Sequence, residues 1–116
     1  MAITTTAAKF RKTGDTLDYT AGANIAAGKI IVADGCVCLA QYAIANGKTG
    51  ALKILHKGEV VEITTDEAIG ATDAGTAIYV VSATGLVTKT STSNVLIGYA
   101  RAAIGATDLT FEVVCA

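Results

Sequence analysis

From residue 14 onward the chain repeats one cadence: a short β-branched run, a glycine turn and a second short run. It is clearest in Ile30-Ile31-Val32-Ala33-Asp34-Gly35-Cys36-Val37-Cys38-Leu39. It returns in Thr76-Ala77-Ile78-Tyr79-Val80-Val81-Ser82-Ala83-Thr84-Gly85-Leu86-Val87-Thr88. Val, Ile, Thr and Tyr fit a pleated, half-buried surface, and Asp-Gly or Thr-Gly supplies the reversal between antiparallel runs. The cadence therefore predicts an all-β fold, a small β-barrel or β-sandwich of short hairpins with at most one short helix. Residues 1–13 lack turn glycines and read as an extended N-terminal arm, and residues 14–116 as the β domain.

The individual runs carry this further. Leu17 and Tyr19 share one face of a strand and Thr16, Asp18 and Thr20 the other. Asn46-Gly47 and Lys57-Gly58 mark turns around a strand in which Leu52, Ile54 and His56 share a face. Residues 95–100 read as a strand with Gly98 as a bulge or a point of close approach. In the last strand Leu109, Phe111, Val113 and Cys115 point one way and Thr110 and Glu112 the other. The one helical signal lies in residues 65–74, where Thr65 is placed to cap Asp66-Glu67-Ala68. Ile69-Gly70-Ala71-Thr72-Asp73 recurs as Ile104-Gly105-Ala106-Thr107-Asp108. Its flanks match poorly, so it reads as shared turn chemistry rather than a duplication.

A chain of 116 residues makes one domain with one modest core. Hydrophobic residues are 52% of it, much of that Ala, and aromatics only 5%, so Val, Ile and Leu must fill the core. A core of small side chains favours burying more surface by self-association. The net charge is −1 and charged residues are 16%, with no basic stripe to hold nucleic acid. Apolar stretches break well short of the roughly 18–20 residues that span a bilayer. The first residues lack a basic and apolar leader pattern, which suits synthesis in the cytoplasm.

Catalytic and cofactor patterns are not assembled. His56 is the sole histidine, no Gly-x-Ser-x-Gly occurs, and neither phosphate-loop glycine pattern is matched. A small hydrolase would have to use His56 with a nearby acid, and a satisfied strand-end histidine is the plainer reading. Cys36 and Cys38 lie at i and i+2 on one strand face, without a second Cys or His pair at ligand spacing. With Cys115 they read as small buried hydrophobes, so no metal and no cofactor are expected. Tyr19, Tyr42, Tyr79 and Tyr99 are scattered, and a carbohydrate- or host-surface-binding module would need them clustered on one exposed face.

The order of elements resembles the capsid-cement, or head-decoration, family of tailed bacteriophages. The matching residues begin with Gly14-Asp15-Thr16-Leu17-Asp18-Tyr19-Thr20, Ile25-Ala26-Ala27-Gly28-Lys29-Ile30-Ile31-Val32 and Gly35-Cys36-Val37-Cys38-Leu39-Ala40. Thr49-Gly50-Ala51-Leu52, Gly58-Glu59-Val60-Val61-Glu62-Ile63 and Ala74-Gly75-Thr76-Ala77-Ile78-Tyr79 follow, then Gly85-Leu86-Val87 and Val95-Leu96-Ile97-Gly98-Tyr99-Ala100. The chain departs from the family pattern in Cys36 and Cys38, where aliphatics are expected. It also lacks the Pro-Lys pair that often follows the element matched by residues 60–64.

The resemblance implies a homotrimeric cement protein on the outer surface of an icosahedral phage head, clamping capsomers through the major capsid protein. It implies a structural role without catalysis, nucleic acid or membrane. The arm supplies the candidate capsid contacts, Phe10 as apolar anchor with Lys9, Arg11 and Lys12 facing acceptors on the shell.

Overall fold

Nine strands and no helix make up the described part of this computed structural model, which covers Thr5, Ala7 and residues 16–33 and 35–116. The strands are β1 (Thr16–Thr20), β2 (Ile30–Ala33), β3 (Cys36–Leu39), β4 (Thr49–Ile54), β5 (Val60–Thr64), β6 (Ala77–Val80), β7 (Val87–Thr88), β8 (Val95–Ala100) and β9 (Thr110–Cys115). They form two antiparallel sheets in the orders β1-β4-β3-β2 and β5-β9-β8-β6-β7. The all-β expectation holds, and the sheets are open rather than closed into a barrel.

The two sheets are two copies of one unit. In each, the first strand pairs with the last, the last with the third and the third with the second. β7 is an addition in the second copy, carried by the long connection between β6 and β8. The register matches residue by residue. Thr20 faces Thr49 as Thr64 faces Thr110, and both pairs join hydroxyl to hydroxyl, at 2.8 and 3.0 Å. Ile30 faces Leu39 as Ala77 faces Tyr99, and Cys38 faces Ile54 as Gly98 faces Cys115.

The turns repeat as well. Ile25 and Ile44 exchange two backbone hydrogen bonds of 2.8 and 2.9 Å, and Thr72 and Ile104 exchange two of 2.9 and 2.8 Å. Three residues past Ile25, Ile44 and Thr72 stand Gly28, Gly47 and Gly75, each with φ near +80 to +90° (89, 78 and 83°). Their N–H groups donate back to Ala40, Ala21 and Ala100. A side chain rarely adopts that backbone conformation, which is why glycine recurs there.

The verbatim repeat is thus out of register with the structural one: Thr72, not Ile69, is the partner of Ile104. Turn chemistry alone does not account for that repeat. The structure shows turn chemistry and a doubled topology together.

Each unit has its own core. Ala21, Ile25, Ile31, Ala33, Cys38, Ala40, Ile44 and Leu52 form the first, edged by half-buried Leu17, Tyr19, Cys36 and Ile54. The second is larger and includes Val61, Ile63, Ile78, Val80, Ile97, Phe111, Val113 and Cys115. Fully burying a Leu or Val side chain is worth about 1.5–3 kcal/mol, so Leu52, Ile78, Val80 and Val113 anchor the fold.

The β2–β3 hairpin joins the units. Its Ile31 and Cys38 face the first core, while Ile30, Val32, Val37 and Leu39 pack into the second. Pairing of Ala33 with Cys36 bears out the hairpin at residues 34–35, although Asp34, like Gly14 and Asp15, lies outside the described residues.

Gly98 fulfils both readings made of it. Ile78 pairs with Gly98 but Tyr79 with Leu96, leaving Ile97 as the extra, inward residue of a bulge. A Cβ on Gly98 would run into the Val114 carbonyl.

Three local readings change. Residues 65–74 make a bend and a bridge rather than a helical turn. The Thr65 hydroxyl does not cap N–H groups but donates to the Glu67 carbonyl at 2.7 Å, while its own N–H bonds the Leu109 carbonyl. Leu109 precedes β9 and is exposed, because the turn before it closes at Asp108, whose carboxylate accepts from Gly105 N–H at 2.8 Å. His56 lies beyond the end of β4, in the link between the units.

Candidate interaction surface

The link carrying His56 is built around a carboxylate. Glu59 Oε1 accepts from His56 N–H at 2.7 Å and from Lys53 Nζ at 3.1 Å, and Glu59 Oε2 lies 3.0 Å from Lys53 Nζ. The His56 N–H and then the Lys53 ammonium hold the Glu59 carboxyl below its ordinary pKa. The acid nearest His56 in sequence is therefore engaged in fastening β4 to β5. Among the described residues no group of three or more His, Cys, Asp and Glu side chains could hold a metal ion. No helix there is long and apolar enough to cross a membrane.

The cysteines sit where small hydrophobes would. Cys38 and Cys115 are buried, one in each core, and Cys36 is half-buried at the edge of the first. Desolvation first, and then the negative charge of Glu59, raises the Cys115 thiol above its ordinary pKa.

The tyrosines do not assemble a four-ring platform. Tyr19 packs against the first core and Tyr42 stands 78% exposed on a turn. Tyr79 and Tyr99 do share a face, the outer side of the second sheet. There the register aligns Val60, Val114, Tyr99 and Ala77 across β5, β9, β8 and β6, with Tyr79 and Leu96 in the next row. None of these six belongs to either core, and Tyr99 and Val60 are 46 and 48% exposed. Below them Arg101 and Glu112 pair at 2.8 Å, marking where the apolar face gives way to a polar rim.

Sequence reasoning missed this surface. Its residues occupy the alternate positions of strands already counted toward the core, and which positions face outward depends on the bulge at Ile97. The contacts it did single out, Lys9, Phe10, Arg11 and Lys12, lie outside the described residues.

These features define a small, doubled all-β module presenting an apolar sheet face. A family description of phage cement proteins matches residues 11–115, and the chain belongs to that family. It is accordingly a bacteriophage structural protein associated with the capsid. No curated protein and no solved structure matches the chain.

Proposed function

We propose that this protein, made in the host cytoplasm, binds the outer surface of an icosahedral phage head as a homotrimer and stabilises the contacts between capsomers. The observation that carries the reading is the family match, which takes in nearly the whole β domain and the last residues of the arm. The physical basis is linkage. A ligand that binds only the assembled lattice stabilises it by about 2.7 kcal/mol per site at a hundred times its Kd. Many sites on one shell multiply that effect without high affinity at any of them. A low net charge and an apolar sheet face suit close packing against protein rather than nucleic acid.

In this reading the arm meets the major capsid protein, Phe10 filling an apolar pocket while Lys9, Arg11 and Lys12 face acidic or backbone acceptors. The test is co-sedimentation with purified expanded shells. The full chain pellets with the shells, and deletion of residues 2–12 abolishes pelleting while the circular dichroism spectrum stays unchanged. Undiminished pelleting of the deletion variant would remove the arm from the reading. A full chain left in the supernatant would remove the reading itself.

A further inference from the structure

The doubling of the unit leaves one contact made inside the chain and its counterparts unmade at both ends. In the first unit, the outer face of the β2–β3 hairpin (Ile30, Val32, Val37, Leu39) is covered because it packs into the core of the second unit. The equivalent face of the second unit is the β6–β8 pair, with Ala77 standing for Ile30, Tyr79 for Val32, Leu96 for Val37 and Tyr99 for Leu39. That face is largely apolar, belongs to neither core among the described residues, and leaves Tyr99 46% exposed.

The receiving side shows the same asymmetry. Val61, Ile63 and Cys115, on the inner face of the second sheet, are buried to 7, 6 and 3% exposure in the core the hairpin joins. Their equivalents in the first unit are Leu17, Tyr19 and Ile54, and all three are only half-buried, as is Cys36 beside them. Among the described residues the inner face of the first unit thus lacks the cover that the hairpin gives the second.

We infer that a second copy of this chain supplies that cover: the outer β6–β8 face of one molecule, centred on Tyr99 and Tyr79, seats on the Leu17–Cys36–Ile54 side of the next, repeating between chains the packing of unit on unit within the chain. The two surfaces are different, so the contact is head-to-tail, and such contacts close into rings or run on as filaments. The inference deepens the self-association in the proposed function and rests on that part of it alone, not on shell binding. Aromatic anchors seated in an apolar pocket are the usual centre of such an interface.

The experiment uses the full chain at fixed concentration, with mass read by light scattering and the exposure of Cys36 by alkylation with iodoacetamide. The expected results are a multimer for the native chain, the mass of one chain for Tyr99→Glu, and alkylation of Cys36 at least tenfold faster in Tyr99→Glu than in the native protein. A change on the second unit uncovers a thiol on the first when these two surfaces meet between copies. Leu17→Glu is expected to be monomeric as well, and mixed with Tyr99→Glu it forms a one-to-one pair, because each variant retains the surface the other lacks. If Leu17→Glu loses its folded circular dichroism signal, the Tyr99→Glu alkylation rate decides alone.

A native chain with the mass of a monomer overturns the inference, and so does a Tyr99→Glu protein that keeps the native mass. A fall in mass with unchanged Cys36 alkylation overturns it too, assigning the face to a symmetric contact. A monomer that still pellets with shells sinks this contact and spares the cement reading. A ring that ignores shells does the reverse.

Discussion

Gly98 gives the sharpest test of the fold. Adding a methyl group there, Gly98→Ala, places a Cβ against the Val114 carbonyl, 2.7 Å from Val114 C and 2.8 Å from Cys115 Cα. These are backbone atoms of β9, an interior strand of the second sheet, so no side chain can swing aside to make room. Overpacking a core costs about 1–3 kcal/mol even where neighbours can yield, so the upper end, about 3 kcal/mol, is the expectation here. At about 4 °C per kcal/mol, suited to a chain of this size, the melting temperature falls by about 12 °C.

The equivalent position in the first unit holds Cys38 opposite Ile54, with a Cβ in place. The close approach therefore belongs to the Ile97 bulge and not to the topology. Gly22→Ala is the control, since a Cβ there meets nothing within 4 Å. It is expected to stay within about 0.5 kcal/mol of the native protein. The assay is a far-ultraviolet circular dichroism melt of all three proteins at one concentration. A Gly98→Ala protein melting within about 3 °C of the native one would refute the packing of β8 on β9 described above.

Leu52→Ala removes a side chain with no exposed surface, and a loss of about 2–5 kcal/mol is expected in urea unfolding; Tyr42→Ala, at an exposed turn, is expected to change stability by less than about 0.5 kcal/mol. Glu59 titrates below its ordinary range in the folded state, so its contribution is present above the unfolded carboxylate pKa and is lost as pH falls through the folded one. The stability gap between the native protein and Glu59→Gln is therefore expected to shrink on acidification through the carboxylate range, as read by melts at a series of pH values, and a constant gap would contradict the link geometry. Thiol counting with a chromogenic disulfide is expected to find Cys36 alone accessible in any unassembled folded form, with Cys38 and Cys115 appearing only on denaturation.

Much of the fold is legible in the sequence because strand and turn signals are local. Alternation in residues 16–20, the Asn46-Gly47 turn, the residues 95–100 run and the glycine inside it all stand where the structure has them. What is not legible depends on pairing across the chain. Thr65 looks like a helix cap by its neighbours, yet its N–H is taken by Leu109, far along the sequence. The true repeat equates Ile25 and Ile44 with Thr72 and Ile104, and at the first of these positions the side chain changes while the backbone bonds agree. The verbatim repeat distracts from it by three positions. The apolar outer face escaped for a related reason: Tyr79 and Tyr99 are separated along the chain by the β7 excursion and meet on one face only through the β6–β8 register.

Every strand ladder among the described residues closes within one unit, and the link at residues 55–59 is the only covalent passage between them. Amide hydrogen exchange should therefore resolve two cooperative blocks rather than a single one. The amides of β1 and β4 would exchange first, since their core is the smaller and is edged by half-exposed side chains. Those of β8 and β9 would persist longest. A shell-bound molecule strained across its link would then yield by parting one folded half from the other, each with its hydrogen-bond ladder whole, and could close again when the strain is released.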